Sequence, residues 1–227
     1  MAIRMSQDIR QQESPPIVVG IDVGQRIDPT TIVVAEAIPR RRESGATEHE
    51  FEVRHLERLP LGTAYPDVAA RVVDVVRKLA SRPVSAYQRP PAISLVVDVT
   101  GVGRPVVDAI RAALDDHGFK RVTLSAATFT HGTTITGRPG SREIRVGKAG
   151  LVSRLQVLFQ EKRVKMLSSH PEAAVMTREL MDYEIKTDPE GDAKFGAFKV
   201  GSHDDLVTAL GLAALFEPRT PGRLVGM

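Results

Sequence analysis

Four aspartates stand where an apolar core has little use for a carboxylate. Asp22 sits between Ile21 and Val23 at the end of the apolar run "PIVVGID", and Asp98 ends a second run, "AISLVVD". Asp204 and Asp205 open a third apolar stretch, "DDLVTALGLAALF". Burying an unpaired charge is costly, and a strand has no structural need for one. Two carboxylates brought close together repel, and both stay ionised only if a cation lies among them. The chain has no cysteine, so thiolate ligands are excluded and hard oxygen donors point to Mg²⁺ or Mn²⁺.

Each acid also has a plainer use. Asp22 can make a turn with Gly24, and Asp98 can bond its own backbone within "DVTG". Asp204 and Asp205 suit the second and third positions of a helix capped by Ser202, where the helix dipole favours negative charge. Taken together, a strand-end acid, a second strand-end acid and an acid pair opening the last helix are not accounted for by three separate local uses.

The elements that must position these residues are legible from periodicity. Apolar runs predict strands over Ile17–Val23 and Thr31–Ile38, with a third at Glu50–Leu59, and their short connections predict an antiparallel meander. Val68, Val72, Val75, Val76 and Leu79 recur at helical spacing within Pro66–Leu79. A Pro-rich connector leads to the "AISLVVDVT" strand, then a helix over Pro105–Leu114 and a strand over Arg121–Ala126. "THGTTITGRPGSREIRVG" is expected to form a hairpin or flexible loop. A helix over Lys148–Glu161, a strand "RVKML", a helix over Glu172–Tyr183, a hairpin around Pro189–Gly191 and a final apolar helix complete the chain. Two strand-end acids on neighbouring parallel strands would meet at one sheet edge, where α/β folds place their sites.

The chain has 227 residues, of which 42% are hydrophobic and 26% charged, the proportions of a soluble globular protein. One domain over 16–217 is expected, flanked by a disordered N-terminal tail, 1–15, and a flexible C-terminal tail, 218–227. No apolar run reaches the length of a membrane span and the N-terminus lacks the apolar block of a signal peptide, which implies an intracellular protein with no membrane partner. The net charge is only +3. Basic residues nevertheless gather at Arg40, Arg41 and Arg42 and at Arg138, Arg142, Arg145 and Lys148, and such clusters suit a polyanion.

The motifs "GIDVGQRIDPTTIVV", "LVVDVTGVGRPVVDAI" and "GSHDDLVTALGLAAL" resemble the ribonuclease H-like nuclease domain of phage terminase large subunits, the DNA-packaging motors. The resemblance spans roughly residues 16–216, and the acids followed by "LVxALxLA" are its most specific part. It implies an α/β fold, with a mixed sheet in the order 3-2-1-4-5 and helices on both faces. It implies that Asp22, Asp98 and Asp205 hold two Mg²⁺ or Mn²⁺ ions that cut double-stranded DNA, with Asp204 as neighbour or alternate. Asp28 matches a second acid of the first motif, and His203 becomes a group just outside the metals or a proton acceptor. Phosphate contacts fall to Arg138, Arg142, Arg145 and Lys148 and to Arg40 and Arg41. The implied partners are a packaging ATPase domain or subunit, the small terminase and the portal, in the cytoplasm of an infected bacterial host.

The chain departs from a full-length terminase in having no Walker A motif. "VGKAG" imitates one, but Lys148 is followed by Ala149, and Arg142 stands where the first glycine is required. Thr208 occupies the position at which related resolvases often carry another acid. Three alternatives remain open from sequence: a Holliday-junction resolvase, an actin-like ATPase or sugar-kinase fragment opening on "DVG" and "PTT", and a catalytically silent DNA-binding module.

Overall fold

The computed structural model describes residues 12–24, 28–84, 88–101, 104–138, 140–182, 184–187, 193–196 and 204–218. In chain order its strands and helices are β1 (Gln12–Glu13), β2 (Ile17–Asp22), β3 (Thr31–Arg41), β4 (Thr47–Arg58), α1 (Tyr65–Ala80), β5 (Gln88–Arg89), β6 (Ile93–Asp98) and α2 (Arg104–Asp116). They continue with β7 (Val122–Thr130), β8 (Ile135–Thr136), β9 (Glu143–Gly147), α3 (Lys148–Gln160) and β10 (Val164–Met166). The last are α4 (Ala173–Asp182), β11 (Glu184–Thr187), β12 (Ala193–Gly196) and α5 (Asp205–Ala213).

Eight strands form one mixed sheet in the order β10-β4-β3-β2-β6-β7-β9-β8. Its centre, β4-β3-β2-β6-β7, is the expected order 3-2-1-4-5. The meander β2–β3–β4 is antiparallel, whereas β2, β6, β7 and β9 run parallel to one another. Near-continuous apolar runs in β2 and β6 follow from that placement, because a central parallel strand is covered on both faces. The glycine-rich basic segment contributes two strands, β8 and β9, and extends the sheet by pairing β9 with β7. Residues Gln12 and Glu13, expected in the loose tail, pair with β5, and Glu13 forms ion pairs with Arg89 and Arg121.

Helices cover both faces. α1 and α2 bury one face against Ile17, Val19, Ile21, Ile93, Leu95 and Val97. On the other face α5 lies directly on the sheet and is buried along its whole length. A helix apolar all round demands such burial. α3 and α4 pack on α5 in turn, and α3 carries the chain from the β9 side of the sheet to β10, which pairs with β4 at the opposite edge.

Gly20 is what lets α5 approach β2. A Cβ there would collide with the carbonyl oxygen of Ala209 and come within 2.6 Å of the Ala213 amide nitrogen. Backbone cannot yield as a side chain can. Gly20→Ala is therefore expected to lower unfolding free energy by about 1–3 kcal/mol, an overpacking cost. Urea unfolding should show a lower midpoint with an unchanged slope.

A polar clamp fixes the chain beyond α5. The Glu217 carboxylate accepts hydrogen bonds from the backbone amide of His49 at 3.1 Å and from Arg154 at 3.1 Å, contacts His49 Nδ1 at 2.9 Å, and pairs with Arg163. Burial alone would raise the Glu217 pKa, but bonds from His49, Arg163 and Arg154 outweigh it and hold it at about 2. A depressed carboxylate stabilises the fold above its ordinary pKa and loses that effect as pH falls toward the folded value. Glu217 is 38% exposed, so after solvent screening Glu217→Gln should cost about 1 kcal/mol at pH 7. In urea titrations that cost should shrink by about half on lowering the pH to 3.

Candidate active site

The register of β2 and β6 places two of the acids side by side. Ile21 is level with Val97, so Asp22 is level with Asp98 on the neighbouring strand, with backbones about 4.8 Å apart. Both side chains leave the sheet on the α5 side. Gly20, two residues before Asp22, faces Ala209 of α5, and Val96, two before Asp98, belongs to the α5-side core; strand side chains alternate with period two.

α5 supplies the remaining acids at the same level. From Gly20 to Asp22 the strand rises about 6.6 Å, and from Ala209 back to Asp205 the helix spans about 6 Å. The α5 acids consequently act on Asp22. Burial, then the charges of Asp98, Asp205 and Asp204, push the Asp22 carboxyl well above the usual carboxylate range, and Lys148 opposes them. Burial also raises Asp98, opposed by its hydrogen bond to Thr100 and by Lys148. The Thr100 amide donates to Asp98 Oδ1 at 2.7 Å, so the local backbone bond foreseen for Asp98 coexists with its place among the acids.

Lys148 belongs to this centre. It is the first residue of α3, and its Nζ lies 3.7 Å from Asp204 Oδ2 and 5.9 Å from the centre of the Phe129 ring. An ammonium acting on Asp22, Asp98 and Asp204 does in part what a bound cation would do: it offsets their mutual repulsion. The basic cluster in which sequence grouped Lys148 is therefore divided. The turn joining β8 to β9 carries Arg138 and Arg142 at the N-terminal end of β9, roughly 16 Å of strand from Lys148. Arg142 lines an open cavity of about 440 Å³ with Arg104 and Arg111. Arg145, on β9, is exposed and alternates away from the α5-side Ile144 and Val146.

Arg40 and Arg41 are not brought to the acids. Thr31, which opens β3, pairs with Asp22, and Arg40 lies nine residues further along β3, roughly 30 Å away. Arg40 instead forms ion pairs with Glu48 and Glu50. Asp28 is exposed in the loop joining β2 to β3, at the same sheet end as Asp22. His203 and Ser202 fall outside the described residues. The helix-start reading of the acid pair is corrected: α5 begins at Asp205, so Asp204 is the N-cap residue, and its side chain makes no capping bond.

The donor set is wholly oxygen, which fits Mg²⁺ or Mn²⁺. Among the described residues no group of three or more His, Cys, Asp or Glu side chains is placed to hold a metal ion. Magnesium does not require such a group, since it is commonly held by one or two carboxylates together with water and substrate phosphate. The residues present thus fit such an ion.

Sequence reasoning missed Gly20 and Glu179. A glycine inside an apolar strand is a signal of close backbone approach. Glu179, on an amphipathic helix, gave no such signal, yet it is buried and its Oε2 accepts hydrogen bonds from the amides of Leu206 and Val207 at 2.9 and 3.3 Å.

No family model and no curated protein matches this chain. Among solved structures it is similar to the large terminase nuclease of thermophilic phage G20c with bound magnesium, at 22% identity and a TM-score of 0.55, covering 88% of this chain and 81% of that one. It is similar to the human cytomegalovirus terminase nuclease domain soaked with manganese, at 14% identity and a TM-score of 0.51, covering 87% and 82%. The large terminase of bacteriophage HK97 aligns at 15% identity and a TM-score of 0.50, covering 94% of this chain and 42% of that longer one. With β4-β3-β2-β6-β7 at the sheet centre and α5 against β2, the chain has the ribonuclease H-like fold of large-terminase nuclease domains.

Proposed function

We propose that this chain is a divalent-metal-dependent DNA endonuclease of a phage packaging terminase, cutting concatemeric viral DNA by phosphodiester hydrolysis. The observation that carries the proposal is Asp22 level with Asp98 at the C-terminal ends of two parallel strands, with Asp204 and Asp205 at the start of the helix that lies on β2 and Lys148 beside Asp204. Asp22, Asp98 and Asp205 are assigned to hold two Mg²⁺ or Mn²⁺ ions, with Asp204 beside them. Bound there, the ions would activate water and stabilise the leaving oxygen. Asp22, level with Asp98 and subject to the charges of Asp205 and Asp204, is the residue that would be shared between the ions. Lys148 offsets the acids before metal arrives and offers positive charge to the incoming phosphate. The fold likeness to terminase nucleases, including one within the longer HK97 protein, supports a packaging role. The packaging ATPase would then lie in another domain or subunit, with small terminase and portal as partners in the host cytoplasm. No described helix is long and apolar enough to cross a membrane.

The test is incubation of the purified chain with supercoiled, linear and four-way-junction DNA. Nicking or cutting is expected with Mn²⁺ or Mg²⁺ and none in EDTA, and ATP should change nothing. Symmetric cleavage confined to junctions would make it a resolvase. Metal-dependent ATP hydrolysis with DNA left intact would replace the nuclease by an actin-like ATPase.

A further inference from the structure

The first turn of α5 poses a problem that its own residues do not solve. A helix N-terminus leaves backbone N–H groups without intrahelical partners, and an aspartate at the N-cap position ordinarily accepts one of them. Asp204 occupies that position and makes no such bond. The Leu206 and Val207 amides instead donate to Glu179 Oε2, from α4. Glu179 is only 5% exposed and pairs with Arg58, at the end of β4. A buried carboxylate without partners is costly, and here two amides and a guanidinium supply them.

We infer that Glu179 is a positioning residue that caps α5 in place of Asp204, leaving the Asp204 and Asp205 side chains directed at Asp22 and Lys148 rather than folded onto the helix amides. Capping by Asp204 would turn its carboxylate back over Leu206 and Val207 and away from Lys148. With Glu179 on those amides, α5 is tied to α4 and through Arg58 to β4, so the height and rotation of its acidic end are set from outside the site. The metal-binding part of this inference rests on the nuclease reading; the capping part does not.

The experiment uses the full chain and three variants. Glu179→Ala removes the cap. Glu179→Gln keeps a carbonyl oxygen that can accept from both amides and turns an NH₂ group toward Arg58 in place of the carboxylate oxygen that pairs with it. Val72→Ala, in the α1-side core and remote from the acids, controls for general destabilisation. Hydrogen exchange in metal-free buffer should show the Leu206 and Val207 amides exchanging more than about tenfold faster in Glu179→Ala than in wild type, and near wild type in Glu179→Gln. Mn²⁺ titration by calorimetry should show affinity falling about 10–100-fold in Glu179→Ala, the range for residues that orient ligands from behind. Glu179→Gln should recover most of that affinity, and Val72→Ala should bind Mn²⁺ as wild type does. Unchanged amide exchange in a folded Glu179→Ala protein would overturn the cap. Faster exchange with unchanged Mn²⁺ affinity would overturn the positioning role. A Glu179→Ala protein too unstable to assay transfers both decisions to Glu179→Gln against Glu179→Leu at reduced temperature. If wild type itself bound no Mn²⁺, the nuclease reading would fail, and hydrogen exchange would still decide the cap.

Discussion

Asp22→Asn should abolish DNA cleavage while leaving a fold more stable than wild type in metal-free buffer. Asparagine keeps the size of the side chain and removes the charge assigned to hold the metals. Loss of a bound ion forfeits several kcal/mol of transition-state stabilisation, and each 1.36 kcal/mol is tenfold, so a loss of roughly 10³-fold or more is expected. The stability gain has a definite sign. Burial and the charges of Asp98, Asp205 and Asp204 raise the folded pKa of Asp22. A carboxyl with a raised folded pKa opposes folding once pH exceeds its ordinary value, and that penalty vanishes below it. The advantage of Asp22→Asn should therefore be largest near pH 7 and fade toward pH 4. A chain of this size gains about 2–4 °C in melting temperature per kcal/mol. Asp98→Asn should abolish cleavage too, with a smaller gain in stability, because bonding to Thr100 and the charge of Lys148 already offset its burial. Added Mg²⁺ should raise the melting temperature of wild type, as any ligand of the native state does, and leave Asp22→Asn unchanged. Cleavage surviving in Asp22→Asn would remove the centre of the proposed site.

How much of this was legible in the sequence depended on whether the signal was local. The apolar runs ending at Asp22 and Asp98 read directly as buried strands because both faces of a central parallel strand are covered. The meander followed from short connections, and α1 from the spacing of Val68, Val72, Val75 and Val76. Pairing between distant segments left no local trace. "RVKML" was visible as a strand, but nothing in it pointed to β4, and the glycine-rich basic segment concealed a strand pairing with β7. Lys148 was grouped with Arg138, Arg142 and Arg145 by proximity in sequence. A strand converts that proximity into distance, leaving the arginines of the β8–β9 turn at one end of β9 and delivering Lys148 to the acids at the other. Arg40 and Arg41 lie far from the acids for the same reason, since an antiparallel strand starting beside Asp22 carries its later residues away from it. Glu179 could not be found at all, because its partners are amides of a helix 27 residues later.

Asp205→Asn is the second large effect, and it separates a metal ligand from a helix-start residue. Asparagine is well accepted at a helix start, so a purely structural Asp205 would tolerate the change with nearly full activity. The fold removes that structural role in advance. Asp205 is the first residue of α5 and 5% exposed, while Leu206 and Val207 are held by Glu179. Asp205 also adds to the charge repelling Asp22. Asp205→Asn should then lower cleavage by roughly 10²–10³-fold, in line with several kcal/mol of lost metal stabilisation, and hold or raise the melting temperature in EDTA. Asp204 has a different environment: its side chain is 26% exposed and lies 3.7 Å from Lys148. Asp204→Asn should therefore cost less, on the order of tenfold, as expected of a group orienting the site from beside it. The reverse ranking, a severe loss in Asp204→Asn with full activity in Asp205→Asn, would move the ligand one residue upstream. Full activity in both would leave α5 structural, and Asp28, at the same sheet end as Asp22, would be the next acid to replace.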